Sequence, residues 1–104
     1  MARELRFFFD AGSGTCLWAA NEAARLAFGY AISLQALPLS ERTKRSLEQL
    51  VSWYDTSIDW QNPVESKWSS EESEKFSAAT LQALKSLRSE LPVIEYHVLD
   101  ETAA

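Results

Sequence analysis

With 104 residues, a formal net charge of −5 and a pI near 4.8, the chain has the size of one domain and a charge that phosphate repels. No basic stripe offsets the acids, which argues against nucleic acid and against anionic membrane surfaces. The single cysteine, Cys16, excludes an internal disulfide framework, and no run of ~18 apolar residues is present to span a bilayer.

An apolar content of 46% is enough for one modest core. Residues 4–10 alternate, with Leu5, Phe7 and Phe9 on one side, which predicts a strand whose second face Phe8 partly covers. Phe7-Phe8-Phe9 is too short for a secretory h-region, so a cytoplasmic protein is expected. Gly12 and Gly14 break the strand. Ser13 or Thr15 then caps a helix running to about Phe28, with Leu17, Ala20, Ala24 and Phe28 inward and Gly29 as its stop. Tyr30, Ile32 and Leu34 alternate like a short strand, which leaves a sheet of two or three strands.

Ser40 opens a second helix. Leu47, Leu50, Val51, Tyr54 and Ile58 form its apolar stripe, and Pro63 ends it by Asn62. Residues 62–68 read as a loop. Ser69 and Glu72 have capping-box spacing, and Trp68 stands where it could staple onto the helix that follows. That third helix runs to about Glu90, with Phe76, Thr80, Ala83, Leu84, Leu87 and Leu91 inward. Pro92 breaks it, residues 93–99 alternate as a closing strand, and residues 100–104 form a frayed tail. The expectation is a single α+β domain over residues 1–104, a small two-layer fold. About three helices pack on a sheet that includes the N- and C-terminal strands.

Few places could carry catalysis. Asp10-Ala11-Gly12-Ser13-Gly14-Thr15 resembles the first phosphate loop of the sugar-kinase, actin and heat-shock ATPase superfamily. The resemblance covers six residues only, and a plain glycine turn explains them. Cys16 in a helix first turn, with His97 and an orienting Asp10 or Glu95, would make a thiol–imidazole pair, an alternative reading as a small enzyme. Asp55 and Asp59 lie four apart on a helix, too few ligands for a divalent ion, so no metal or cofactor is expected.

The strongest signal is an asymmetry. From Trp53 to Glu74 there are six acids and one base, while nine acids and nine bases elsewhere cancel, so this stretch holds the whole net charge. Three of the four tryptophans lie there too. Glu71, Glu72 and Glu74 suit a helix N-terminus, but Asp55 and Asp59 come late in a helix, where negative charge is unfavourable. The candidate partner-binding residues are therefore Trp53, Asp55, Asp59, Trp60, Glu65 and Trp68, since binding hot spots favour Trp and carboxylates draw a basic surface.

A small acidic domain with such a face resembles the bacterial immunity proteins that neutralise toxins, in size, charge and segment chemistry. The resemblance implies a non-catalytic protein-binding module that covers the basic, phosphate-handling site of a toxin domain with carboxylates. A further alternative is a homo-oligomeric structural subunit that buries its tryptophans against a copy of itself; oligomeric state stays open.

Overall fold

A computed structural model describes residues 1–59, 61–62 and 66–102. The elements in order are β1 (Arg3–Phe7), β2 (Leu17–Ala19), α1 (Glu22–Phe28), a 3-10 turn (Leu34–Ala36), α2 (Glu41–Asp55), α3 (Ser70–Glu90) and β3 (Tyr96–Asp100). The sheet order is β2-β1-β3. β1 pairs antiparallel with β2 and parallel with β3. The N- and C-terminal strands are thus neighbours, as the sequence predicts, and the parallel pairing requires the long helical crossover between them. The fold is α+β, with three helices and a three-stranded mixed sheet. Among the described residues no helix is long and apolar enough to cross a membrane.

The strand period places the core. Leu5 and Phe7 are fully buried on the inner face of β1, level with Leu17 and Ala19 on one side and Val98 on the other. Leu47, Leu50 and Val51 of α2 and Phe76, Ala83, Leu84 and Leu87 of α3 join them in one cluster. The two stripes read from the helical period are therefore the faces that pack. The outer face is covered as well. Trp18 stacks on Phe8 at 4.9 Å and donates its indole N–H to the Phe8 carbonyl, and the Arg6 guanidinium lies 5.2 Å from the Phe8 ring.

Four local expectations are corrected. The helix expected from Thr15 does not form, because Thr15 to Ala19 are all buried in succession and no single helical face could bury them. They complete a hairpin with β1 instead. The real N-cap is Asn21, whose side chain accepts from the Ala24 N–H at 3.0 Å. Tyr30–Leu34 is not a strand. Ala31 makes one isolated bridge to Trp18, and the Tyr30 carbonyl and Ile32 N–H cover the open edge of β2. The second helix stops at Asp55 rather than Asn62, because Thr56 closes it: its N–H and hydroxyl both turn back on the Trp53 carbonyl. The chain then turns, and Ile58 bridges Ser66. At the other end, β3 reaches Asp100, and the Glu101 N–H donates to the Phe7 carbonyl at 3.0 Å, inside what reads as a tail.

Glu90 links the two long helices. It ends α3, where its charge opposes its own helix, but it faces the N-terminus of α2. Its carboxylate accepts from the Ser40 N–H at 2.6 Å, from the Ser40 hydroxyl and from the Thr43 hydroxyl. The Ser40 N–H first, and then the Thr43 hydroxyl, hold this carboxyl below its ordinary value. A depressed carboxyl binds fewer protons folded than unfolded. Its stabilisation is therefore complete above the unfolded value of about 4.3 and is lost as the pH falls through the lower, folded one. Glu90→Gln is expected to cost about 1 kcal/mol at pH 7, a figure discounted for solvent screening. That gap to the parent should close between about pH 5 and pH 3. Urea midpoints of both proteins across that range check it; a constant gap would mean the charge contributes nothing.

Candidate partner-binding face

The end of α2 and the start of α3 form an aromatic cluster with Phe76 at its centre. The Trp53, Tyr54 and Trp68 rings lie 5.1, 5.9 and 4.8 Å from Phe76. Phe9, just beyond β1, stands 5.1 Å from Phe76 and stacks on Tyr54 at 5.4 Å. The helical period delivers Trp53 and Tyr54 to one side of α2, and Phe76 opens the buried stripe of α3. Trp68 packs on Phe76 from just before the Ser69 cap, a staple reaching one turn further than usual.

Both described tryptophans of the segment are half-buried, and both indole N–H groups are engaged within the chain. Trp53 donates to the Glu72 carboxylate at 2.9 Å, and Trp68 donates to the Thr56 hydroxyl at 2.9 Å. The capping box is therefore divided: Ser69 accepts from the Glu72 N–H, while the Glu72 side chain binds Trp53. An oligomeric reading that needs fully exposed indoles loses that support. Asp55 is drawn elsewhere. Its carboxylate accepts from the Gly12 N–H at 3.0 Å, tying the end of α2 to the β1–β2 turn. Asp59 accepts from the Gln61 N–H at 3.0 Å in a local turn. Trp60 and Glu65 lie outside the described residues. Trp53 and Trp68 are thus brought together, while Asp55 answers a distant backbone donor at Gly12 and Asp59 a local one at Gln61. Glu71 and Glu74 on the first turns of α3 are exposed.

The phosphate-loop reading fails on geometry. Gly12 and Gly14 adopt positive φ in a hairpin turn, no helix starts there, and a carboxylate of this chain takes the Gly12 N–H. The thiol–imidazole pair fails too. Cys16 is wholly buried and level with Phe8, whereas His97 is exposed and level with Glu4. They are four strand residues apart, about 13 Å along β1. Burial alone pushes the Cys16 thiol up to about 12, the opposite of an activated nucleophile. Among the described residues no three His, Cys, Asp or Glu side chains converge on a common point.

One concavity borders the aromatic cluster and was not legible in the sequence. An open groove of about 700 Å³ runs between α3 and the ends of β1 and β3. Phe9, Phe76 and Leu84 line its apolar part, and Arg6, Asp100 and Glu101 its polar rim. Arg6 grips Glu101 two-pronged, at 2.9 and 2.7 Å, and holds its carboxyl low. The Asp100 carboxyl is lowered by the Thr102 hydroxyl and N–H. Thr80, also lining the groove, is only 5% exposed, and its hydroxyl has no hydrogen-bond partner among the described residues.

A family model described as Serratia CdiI immunity protein-like matches residues 3–99 of the chain. No curated protein matches it.

Proposed function

The chain belongs to the Serratia CdiI immunity protein-like family, and from that premise we propose that it is a toxin-neutralising binding module with no catalytic activity of its own. It acts in the cytoplasm and takes neither nucleic acid nor membrane as partner. It holds a basic toxin domain through the acidic, aromatic face that carries Trp53, Asp55, Asp59, Trp60, Glu65 and Trp68. The family match over residues 3–99 carries the reading, because it reaches every element of the fold and stops only one residue short of the end of β3. Concentration of the whole net charge between Trp53 and Glu74 supports the chemistry of the partner. A one-sided negative field speeds encounter with a cationic surface and keeps like-charged surfaces away.

The test uses Asp55→Asn combined with Asp59→Asn. Asparagine keeps the oxygen that accepts from the Gly12 and Gln61 N–H groups, so the fold is preserved while two charges go. The partner is the C-terminal domain of the large secreted protein expected from the neighbouring reading frame. Association at low salt should slow by about 3–10-fold, and the fall of the rate with ionic strength should flatten. An association rate and salt slope equal to the parent's would remove the acidic face from the account.

A further inference from the structure

We infer that Arg88 is an autoinhibitory contact: it covers the open edge of the sheet, and behind it that edge is a docking strand for β3 of a second copy of this chain. The inference goes beyond the toxin-neutralising reading and does not depend on it.

The ladder shows which backbone groups stand on the edge. The Arg3 N–H donates to the Glu95 carbonyl at 2.8 Å, and the Glu101 N–H donates to the Phe7 carbonyl at 3.0 Å. Alternate residues of a strand point their hydrogen-bonding groups to opposite sides. His97 and Leu99 therefore spend theirs on β1, and Tyr96, Val98 and Asp100 point theirs away from it. No further strand lies on that side. The opposite edge is closed, because the Tyr30 carbonyl and Ile32 N–H bond along β2. β3 is thus the one open edge among the described residues, and an open edge is a template for another strand.

Two groups on this edge are occupied from within the chain. The Tyr96 N–H donates to the Pro92 carbonyl at 2.9 Å. The Val98 carbonyl accepts from Arg88 Nη2 at 2.8 Å, so a side chain of α3 stands where a neighbouring strand would bond. The Val98 N–H and the Tyr96 carbonyl have no partner among the described residues. A shallow apolar concavity of about 280 Å³ follows the edge between Arg88, Leu91, Val93 and Val98. Just before the strand, Val93 is 75% and Ile94 88% exposed.

The edge fits a copy of itself. In an antiparallel pair about a two-fold axis at Val98, this residue faces its own counterpart and Tyr96 faces the counterpart of Asp100. Every outward-pointing residue then meets another. In that register each Val98 N–H needs the carbonyl that Arg88 holds, which is why one side chain can close the whole edge. Leu99, 42% exposed, faces the counterpart of His97 on the outer side. Charge permits the contact as well. The net charge lies between Trp53 and Glu74, so copies meeting at that segment repel one another, whereas β3 belongs to the remainder, whose charges cancel.

Sedimentation velocity on the full chain tests the contact, with the parent, Arg88→Ala, Arg88→Met and Arg88→Lys compared from about 5 to about 500 μM. Arg88 is exposed, and methionine keeps its aliphatic stem without its donors, so the fold should survive replacement. The parent is expected to stay monomeric. Arg88→Ala and Arg88→Met should dimerise with a dissociation constant at least about tenfold below any shown by the parent. Arg88→Lys, which keeps a donor and the charge, should fall between. Hydrogen exchange locates the pairing. The Val98 amide should exchange freely in the parent and gain protection with concentration in Arg88→Ala and Arg88→Met. Variants as monomeric as the parent, a parent that associates as strongly as they do, or dimers whose Val98 amide stays unprotected would each overturn the inference.

Discussion

Replacing Phe76 with alanine is expected to cost about 3–5 kcal/mol, the range for removing a buried phenyl ring from a packed core. A domain of this kind has about 5–15 kcal/mol of total stability, so the variant should be marginal at 37 °C. The position is unusual in how many rings lean on it. Phe9, Trp53, Tyr54 and Trp68 each lie within 6 Å of Phe76, and among the described residues no other ring touches all four. Alanine would leave a cavity that α2, α3 and the β1 extension cannot close together, since each is fixed elsewhere by its own stripe. The tryptophans report the loss directly. Both are half-buried against Phe76, so the folded variant should emit at longer wavelength than the parent. Phe76→Leu, which keeps most of the volume, should cost far less, about 1 kcal/mol. Leu81→Ala on the same helix, 53% exposed, should cost under about 0.5 kcal/mol. Urea melts of the three variants test the ranking. A Phe76→Ala cost no greater than that of Leu81→Ala would deny Phe76 its central place.

The helical stripes were the most legible part of the chain. Every inward position read for the third helix, from Phe76 to Leu91, is buried, because a 3.6-residue period leaves a signature that alanines and serines between do not blur. The β1–β2 hairpin was illegible for a definite reason. Its second strand is three residues long, buried on both faces and followed by alanines, so it offers no alternation and imitates a helix. Asp55 and Asp59 stand out in the sequence as acids late in a helix; in the structure Asp55 ends α2 and bonds the distant Gly12 N–H, and Asp59 lies beyond the helix and bonds the nearby Gln61 N–H. The same rule applied to Glu90 points to a partner fifty residues away at Ser40, which no local pattern contains. The groove is hidden in the same way. Arg6 and Glu101 lie 95 positions apart and meet only because β1 and β3 are neighbours. Thr80 is legible only as an inward position of the third helix; that its hydroxyl finds no partner among the described residues is visible in the structure alone.

Asn21 is the residue whose loss should separate stability from binding most cleanly. Its Oδ1 accepts from the Ala24 N–H at 3.0 Å, capping α1, and from the Glu4 N–H at 3.2 Å; its Nδ2 donates to the Ala2 carbonyl at 2.8 Å. One amide thus joins a seven-residue helix, too short to persist alone, to the first strand of the sheet. Asn21→Ala removes a cap worth about 1 kcal/mol and leaves the half-buried Glu4 N–H of β1 and the Ala2 carbonyl just before it unmet, for a total near 2–3 kcal/mol. Asn21→Ser should keep the cap and lose the tie to β1, an intermediate cost. Asn21→Asp keeps both acceptor bonds and loses the donor to the Ala2 carbonyl, but adds a charge that suits a helix N-terminus and offsets part of that loss, so it should cost least. The ordering parent, Asp, Ser, Ala is what a double role requires. A serine variant as stable as the parent would reduce Asn21 to a simple cap. Hydrogen exchange gives the location, since the Glu4 and Ala24 amides should lose protection in Asn21→Ala while those of α3 keep theirs. α1 packs on β1 and β2 rather than on the aromatic ends of α2 and α3. Binding of the toxin domain per folded molecule should therefore be unchanged in all three variants, whereas Phe76→Ala should weaken it even where the protein remains folded.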